Sequence, residues 1–468
     1  MTTALIVLPL AAALVIWVLP LNDVSAGALA LLAALAEVGV WIQLAARYDF
    51  GQGGDLHVSY HVGVYGFSVW LTGLTVIAMA AAIAYGFWAG RDRLRAYLGL
   101  MLFLTGAVVG VFTAQDLLLF YAFFEAMMIP LYVLVGVWGG PGRLGATLKF
   151  VLFTMAGSLL MLASIVVYGL SQNTFDLVKI GQSSSNWVFL GFVAAFAIKA
   201  PLFPLHGWLP DAYRESSPEV AAILSGVVSK AAAYGFLRIA ITKFPEPAQH
   251  YRAPILALAA IGLIYGSLLA FRAPDIRGVI AYSSLAQMGL ITMGIFSIND
   301  LGLDGSVLQM VNHGLVSTTL FLLAGMVERR TLTGELSRLG GMARGRPALA
   351  TVLLTTGVIA LAVPLSSAFA GEFLILAGVF RHGWAWSVVG AVAIVLAAAY
   401  VLRLVSAILH RDVGPAVSDA ALDLRPAELG VVLPMLACLL ALSAWPAAIT
   451  QHSFRGDRPQ ADVAQGFK

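Results

Sequence analysis

Residues 198–239 read IKAPLFPLHGWLPDAYRESSPEVAAILSGVVSKAAAYGFLRI. Two lysines stand in apolar surroundings here, Lys199 and Lys230, and Pro201 and Pro204 follow the first within a turn and a half. A proline removes a backbone donor and crowds the preceding turn, so it interrupts a helix and frees carbonyls. An ionisable side chain at the middle of a membrane helix costs about 2.5–3.5 kcal/mol even on the most lenient scale, which makes it a functional candidate. The stretch therefore reads as an interrupted membrane helix carrying Lys199, a charged connection, and a second membrane helix with Lys230 near its centre.

The rest of the chain agrees with a membrane setting. Of its 468 residues 60% are hydrophobic and 11% charged, with a net charge of +3 and a mean hydropathy of +0.90. That balance excludes an ordinary soluble enzyme, and the scattered charge offers no nucleic-acid surface. A bilayer core needs roughly 20 apolar residues per helix, and fourteen apolar runs emerge, at about 2–20, 25–46, 66–88, 96–112, 116–138, 147–170, 187–209, 218–242, 254–271, 277–297, 305–327, 348–380, 384–410 and 427–448. The expected fold is an all-α polytopic membrane protein. Odd-numbered connections hold fifteen Lys and Arg residues, whereas even-numbered ones and the C-terminal tail hold eight. By the positive-inside rule this places both termini on the outer face of a bacterial plasma (inner) membrane.

Four charges fall deep within spans: Glu125 in the fifth, Lys199 in the seventh, Lys230 in the eighth and Glu372 in the twelfth. Two carboxylates and two amines balance electrically. As structural ion pairs they would glue helices together; spread over four spans beside broken helices, they suit a proton relay better. The second break is at Pro364, followed by Ser366 and Ser367, two turns before Glu372. Spans 7 and 12 are five apart, and an odd-numbered repeat must be inverted in the membrane, so spans 4–8 and 9–13 are expected to form two inverted five-span repeats. The chain then divides into an N-terminal three-span segment (1–92), a first repeat acting as a proton half-channel (93–243), a second, inverted repeat (251–411), and a last span with a short polar tail (412–468).

Hydrogen-bonding groups could join these charges. His206 is seven residues from Lys199 and would share its face on a regular helix; His313, with Ser317 one turn on, lies in span 11. Histidine can pass a proton through either ring nitrogen. Arg238 and Arg403 lie near enough to span ends to snorkel, and loop histidines such as His57 carry no expected role. Gly140-Pro141-Gly142-Arg143-Leu144-Gly145 fits G-x-G-x-x-G but follows a membrane helix where a nucleotide-binding strand would be required. One cysteine, Cys438, offers no disulfide framework and no cysteine-built metal or iron–sulfur site, so no cofactor or metal site is expected in this chain.

Five stretches carry a resemblance over nearly the whole length: DLLLFYAFFEAMMIPLYVL (116–134), LKFVLFTMAGSLLML (148–162), the opening stretch 198–239, IRGVIAYSSLAQMGL (276–290) and AGEFLIL (370–376). They resemble the antiporter-like membrane subunits of respiratory complex I, and are also similar to the Mrp cation/proton antiporters. The resemblance implies fourteen spans, an inverted five-span repeat and broken helices 7 and 12. It also implies that Glu125 is the helix-5 glutamate paired with the helix-7 lysine Lys199, that Lys230 is the central lysine, and that Glu372 is the helix-12 residue. Glutamate at that last position, together with a short tail in place of a long lateral helix, is similar to the M subunits; the L, N and Mrp D subunits tend to have lysine there. The chain departs from the M pattern at Gln287, where histidine is common, at PLSSAFAGEF (364–373), where a glycine-rich break is usual, and at Tyr213, where the family usually has histidine. The implied function is proton translocation as a non-redox subunit of NADH:quinone oxidoreductase. NADH, FMN, iron–sulfur clusters and quinone would be held by partner subunits, and the implied partners are sister antiporter-like subunits and the lipid bilayer. An Mrp-type antiporter or a membrane-bound hydrogenase subunit is the implied alternative.

Overall fold

The computed structural model describes residues 1–49, 61–418 and 421–454. His57 and the tail residues Arg455, Arg458 and Lys468 lie outside the described residues. Those described are helical throughout, with only isolated bridges such as Val62 to Ala114 in extended pairing. Eleven helices are long and apolar enough to cross a membrane, and Thr2–Val18, Asn186–Lys199, Pro347–Ala360 and Ser367–Phe380 are shorter apolar helices. The Pro218–Lys243 and Asp300–Thr331 segments are enclosed on all sides by other helices. They form the axis of the bundle, and they carry Lys230 and His313.

The odd-numbered connections gather at one end, tied together by ion pairs. Arg91 meets Glu219 at 2.6 Å, Arg277 meets Glu328 at 2.5 Å, Arg330 meets Glu428 at 2.6 Å, Arg214 meets Asp275 at 3.0 Å and Lys149 meets Asp211 at 2.7 Å. Glu219 and Glu428 are 0% exposed, and Tyr97 donates a further hydrogen bond to Glu219 at 2.7 Å. Removing one partner of such a buried pair leaves an uncompensated charge and costs about 3–5 kcal/mol. The basic residues that sequence counting assigned to alternate connections thus share one surface with the acids that hold it together.

Both expected helix breaks are present, and each is sealed by a side chain. The Asn186–Lys199 helix ends at Lys199 itself, and irregular turns run to the short helix Leu209–Glu215. Trp208 donates its indole N–H to the freed carbonyl of Ile198 at 2.9 Å. Span 12 is split between Pro347–Ala360 and Ser367–Phe380, with Ala362 and Leu365 at φ of 52° and 76° in the connection. There Asn312 donates to the carbonyl of Ser367 at 2.7 Å, and the Ser367 N–H donates to Ser443 Oγ at 3.0 Å. Backbone groups inside a membrane need such internal partners because lipid offers none.

Three irregularities go beyond the expected pattern. The span carrying Lys230 contains two π-helical turns, Leu224–Val228 and Phe236–Ala240, one on each side of the lysine. A single-residue interruption at Met127, three residues before Pro130, divides Leu117–Ala126 from Met128–Trp138 just after Glu125. At the axis, a Cβ on Gly226 would lie 2.9 Å from the carbonyl oxygen of Gly314, and one on Gly314 would lie 2.8 Å from that of Gly226. The π-turn and the His313 helix therefore meet backbone to backbone, which only glycine permits. Overpacking typically costs about 1–3 kcal/mol. Gly226→Val is expected to lower the thermal unfolding midpoint of the purified protein by that equivalent, and an unchanged midpoint would mean that this contact is not tight.

Candidate functional site

The centre of the site is Lys230, which is 0% exposed. Its Nζ lies 2.6 Å from His313 Nδ1, 2.7 Å from the carbonyl oxygen of Ser225 and 3.3 Å from Ser229 Oγ. The π-turn explains the second contact, because its wider winding brings the carbonyl five residues back within reach of the amine. Beside it, and not bonded to the amine, the Ser225 hydroxyl meets Ser284 Oγ at 2.7 Å and Ser317 Oγ at 2.5 Å. A proton on either Lys230 or His313 can bridge the short N–N contact. Where Lys230 donates to Nδ1, a neutral imidazole carries its own proton on Nε2. That nitrogen is buried and has no hydrogen-bond partner.

A cavity of about 30 Å³ is bordered by His313, Ser317, Asn312, Gln309, Gln287 and Glu372. About 10–15 Å³ suffices for one water, so the space accommodates about two. On its far side Gln287 donates to Glu372 Oε1 at 2.9 Å and accepts from Gln309 Nε2 at 2.9 Å, and Gln309 also reaches Glu372 Oε1 at 3.4 Å. The second carboxyl oxygen of Glu372 is buried and without a partner, as are Gln309 Oε1 and Asn312 Oδ1. A smaller space of about 10 Å³, bordered by Ser267, Gln287 and Tyr400, touches Glu372 as well. Lys230, His313, Ser317 and Glu372 are thus brought into one polar region.

Glu125 and Lys199 form a separate pair of positions. Lys199 is 1% exposed; its Nζ donates to Met128 Sδ at 2.7 Å and lies 5.0 Å and 5.7 Å from the ring centres of Phe124 and Phe150. The expected direct ion pair with Glu125 is not formed among the described residues. The helix interruption at Met127 places Met128 against the amine, while Glu125 is half-buried. His206 also departs from expectation. Its helix has already ended at Lys199, so the shared-face argument lapses, and the ring packs against Phe203 and Tyr265 with centres 5.7 Å and 5.3 Å away. Pro201 and Pro204 lie in the irregular connection and Pro364 in the span-12 break, as expected.

Reasoning from charged residues alone passed over the neutral members of the site: Ser225, Ser229, Ser284, Gln309 and Asn312. The run QMVNHG (309–314) held the signal, since amides within a membrane span require partners as charges do. Gln309 and His313, four apart, share one helix face. Glu37 was also passed over; it is 1% exposed in the Asp23–Arg47 helix and its Oε1 has no partner. Arg238 does not snorkel. It is 7% exposed, donates to Gln115 Oε1 at 3.0 Å and stacks 4.3 Å from the Tyr65 ring centre. In the glycine-rich loop, Glu215 takes the Gly142 N–H on Oε2 at 2.8 Å and the Gly140 N–H on its carbonyl at 2.7 Å, which leaves no cradle for a phosphate.

An amine, an imidazole and a carboxylate aligned through a water-sized cavity between interrupted membrane helices define a proton-handling membrane subunit of the antiporter-like class. Residues 114–397 match the family described as NADH:quinone oxidoreductase/Mrp antiporter, transmembrane, and the chain belongs to that family. It is similar to NADH-quinone oxidoreductase subunit M of Rhodobacter capsulatus, at 34% identity covering 95% of this chain and 93% of the relative. The subunit M of Rickettsia prowazekii is 34% identical over 84% of this chain and 81% of its own. Among solved structures, a chain of respiratory complex I from Thermus thermophilus with bound NADH superposes with a TM-score of 0.88 at 31% identity, covering 97% of each chain. A chain of the Mrp complex from Dietzia sp. shares the fold, with a TM-score of 0.87 at 20% identity over 97% of this chain and 95% of that one.

Leaving a buried hydrogen-bonding group unsatisfied costs about 1–3 kcal/mol. Gln309→Leu, which strands the carbonyl oxygen of Gln287, is expected to destabilise the protein by that amount. Thermal unfolding of the purified variant measures it, and a change near zero would show that the amide pair is not held as described.

Proposed function

We propose that this chain is a proton-translocating membrane subunit of NADH:quinone oxidoreductase, driven by quinone reduction in partner subunits. The observation that carries the reading is the contact of Lys230 with His313 across a cavity from Glu372. Sister antiporter-like subunits are its membrane neighbours, and the redox groups (NADH, FMN, iron–sulfur clusters and quinone) belong to partner subunits, this chain serving as the non-redox part of the translocase. With spans 7 and 12 each counted once despite their breaks, the chain crosses the membrane fourteen times with two inverted repeats. Both termini then face outward, because the arginine-rich connections favour the inner side.

In this mechanism Lys199 receives a proton and Glu125 governs how tightly it is held. At ~6 Å and an effective dielectric of ~20, gain or loss of the carboxylate's influence is worth roughly 2.8 kcal/mol. No hydrogen-bonded chain among the described residues joins Lys199 to Lys230, so that transfer requires a rearrangement or entry of water. From Lys230 the proton crosses to His313 Nδ1, leaves from Nε2 into the cavity, and passes by water to the free oxygen of Glu372. Gln287 and Gln309 hold the other carboxyl oxygen and thereby aim the free one. The glutamines do not themselves carry the proton.

Glu125→Gln and Lys199→Ala are each expected to abolish or sharply reduce NADH-driven proton uptake by inverted membrane vesicles while the complex still assembles. Full pumping by either variant would overturn the scheme. Purification through a tag on this chain tests the assembly itself: flavin and iron–sulfur subunits with NADH oxidation support the proposal. Recovery with nickel–iron hydrogenase or small antiporter subunits, and no NADH activity, would reassign the proton path to a relative of complex I.

A further inference from the structure

The arginine-rich end of the molecule has a second polar site, remote from the proton path. A cavity of about 320 Å³ is lined by Trp88, Arg329, Arg330, Leu422, Arg425 and Glu428. Its charges are not equivalent. Arg330 donates to both oxygens of buried Glu428, at 2.7 Å and 2.6 Å, and to the carbonyls of Met326, Leu422 and Asp423 at 2.8–2.9 Å. All five of its N–H groups are thereby occupied and the charge of Glu428 is cancelled. Arg329 gives one N–H to the carbonyl of Ala89 at 3.2 Å and stacks 4.4 Å from the centre of the Trp88 ring. Neither Arg329 nor Arg425 pairs with an acidic side chain among the described residues, and both are exposed. Two unpaired guanidiniums therefore line one cavity whose own acid is already neutralised.

We propose that this cavity binds the phosphate of an anionic phospholipid headgroup. Guanidinium is the side chain best matched to phosphate oxygens, forming paired charge-assisted hydrogen bonds. Basic pockets between membrane helices on the cytoplasmic side are a recurrent form of headgroup site. Two neighbouring features favour a lipid over a free anion. Trp88 stands one residue from the end of its helix, the position interfacial tryptophans favour. The Pro426–Ala444 helix leaves the cavity with only a third of its apolar window buried, and exposed Leu433 and Leu440 provide a surface for acyl chains. Arg330 and Glu428 position the wall; Arg329 and Arg425 hold the ligand. The sidedness follows the orientation proposed above, whereas the headgroup site itself does not depend on it.

The test uses the intact complex, purified from membranes and reconstituted in nanodiscs of phosphatidylcholine with a minor fraction of phosphatidylglycerol. Removing two surface arginines, each worth roughly fivefold in attraction to anionic lipid, predicts about a twenty-five-fold weaker site. In Arg329→Gln/Arg425→Gln the phosphatidylglycerol retained per complex by mass spectrometry should fall, with phosphatidylcholine and subunit content unchanged. The charge-preserving Arg329→Lys/Arg425→Lys variant should recover most of the retention and covers the case in which the glutamine variant fails to assemble. Unchanged phosphatidylglycerol in the glutamine variant, or a lysine variant that fails to retain it, would overturn the proposal. So would radiolabelled inorganic phosphate binding to the lipid-free complex without any lipid difference, or loss of a neighbouring subunit from the glutamine variant with lipid retention intact.

Discussion

The contact between Lys230 and His313 is the interaction on which the rest of the structure depends. An amine and an imidazole 2.6 Å apart at the centre of a bundle are tolerable only where every neighbouring polar group has a partner or a water-sized space. Gly226 and Gly314 let the two axial helices touch along their backbones. The π-turn before Lys230 supplies a carbonyl for the amine, and the hydroxyls of Ser225, Ser284 and Ser317 satisfy one another beside it. A larger residue at either glycine, or a regular α-helix through Ser225, would misplace the amine relative to the ring.

Charge is handled differently at the end of the molecule and at its centre. At the arginine-rich end, carboxylates are matched with guanidiniums at contact distance, and these pairs fasten connection to connection. Along the axis, Lys230, His313, Lys199 and Glu372 make no ion pairs with one another among the described residues; amides, hydroxyls, a thioether and aromatic rings surround them. A permanent ion pair would trap the proton that the proposed path needs these groups to exchange. Neutral partners fix position without neutralising charge, which suits a path whose members change protonation in turn.

Much of this was legible from residue order. Pro201, Pro204 and Pro364 marked both helix breaks, because a missing donor weakens a helix locally, although Pro9 and Pro434 lie within continuous helices. The alternation of basic connections was equally readable, and the ion pairs at one end agree with it. Reading by periodicity failed where a helix stopped being regular: His206 was assigned to the face of Lys199, but the helix ends at that lysine. Nearness to a span end misled for Arg238, which finds Gln115 in the connection before Leu117 and the Tyr65 ring instead of reaching the interface. Neutral polar residues were underweighted because desolvation costs were counted for charges alone.

What the sequence by itself determined is the membrane fold, the positions of Lys199, Lys230 and Glu372 among the buried charges, and the two places where spans 7 and 12 break. These follow from local rules: apolar run length, the lost donor of proline, and the cost of a charge in lipid. Only the tertiary structure decided which of these groups lie together. The 30 Å³ cavity between His313 and Glu372, the Gln287–Gln309 brace and the turn of Lys199 toward Met128 depend on how helices far apart in sequence pack. Hydrogen-bond geometry at that scale is set by rotation and displacement of whole helices, which no local pattern encodes.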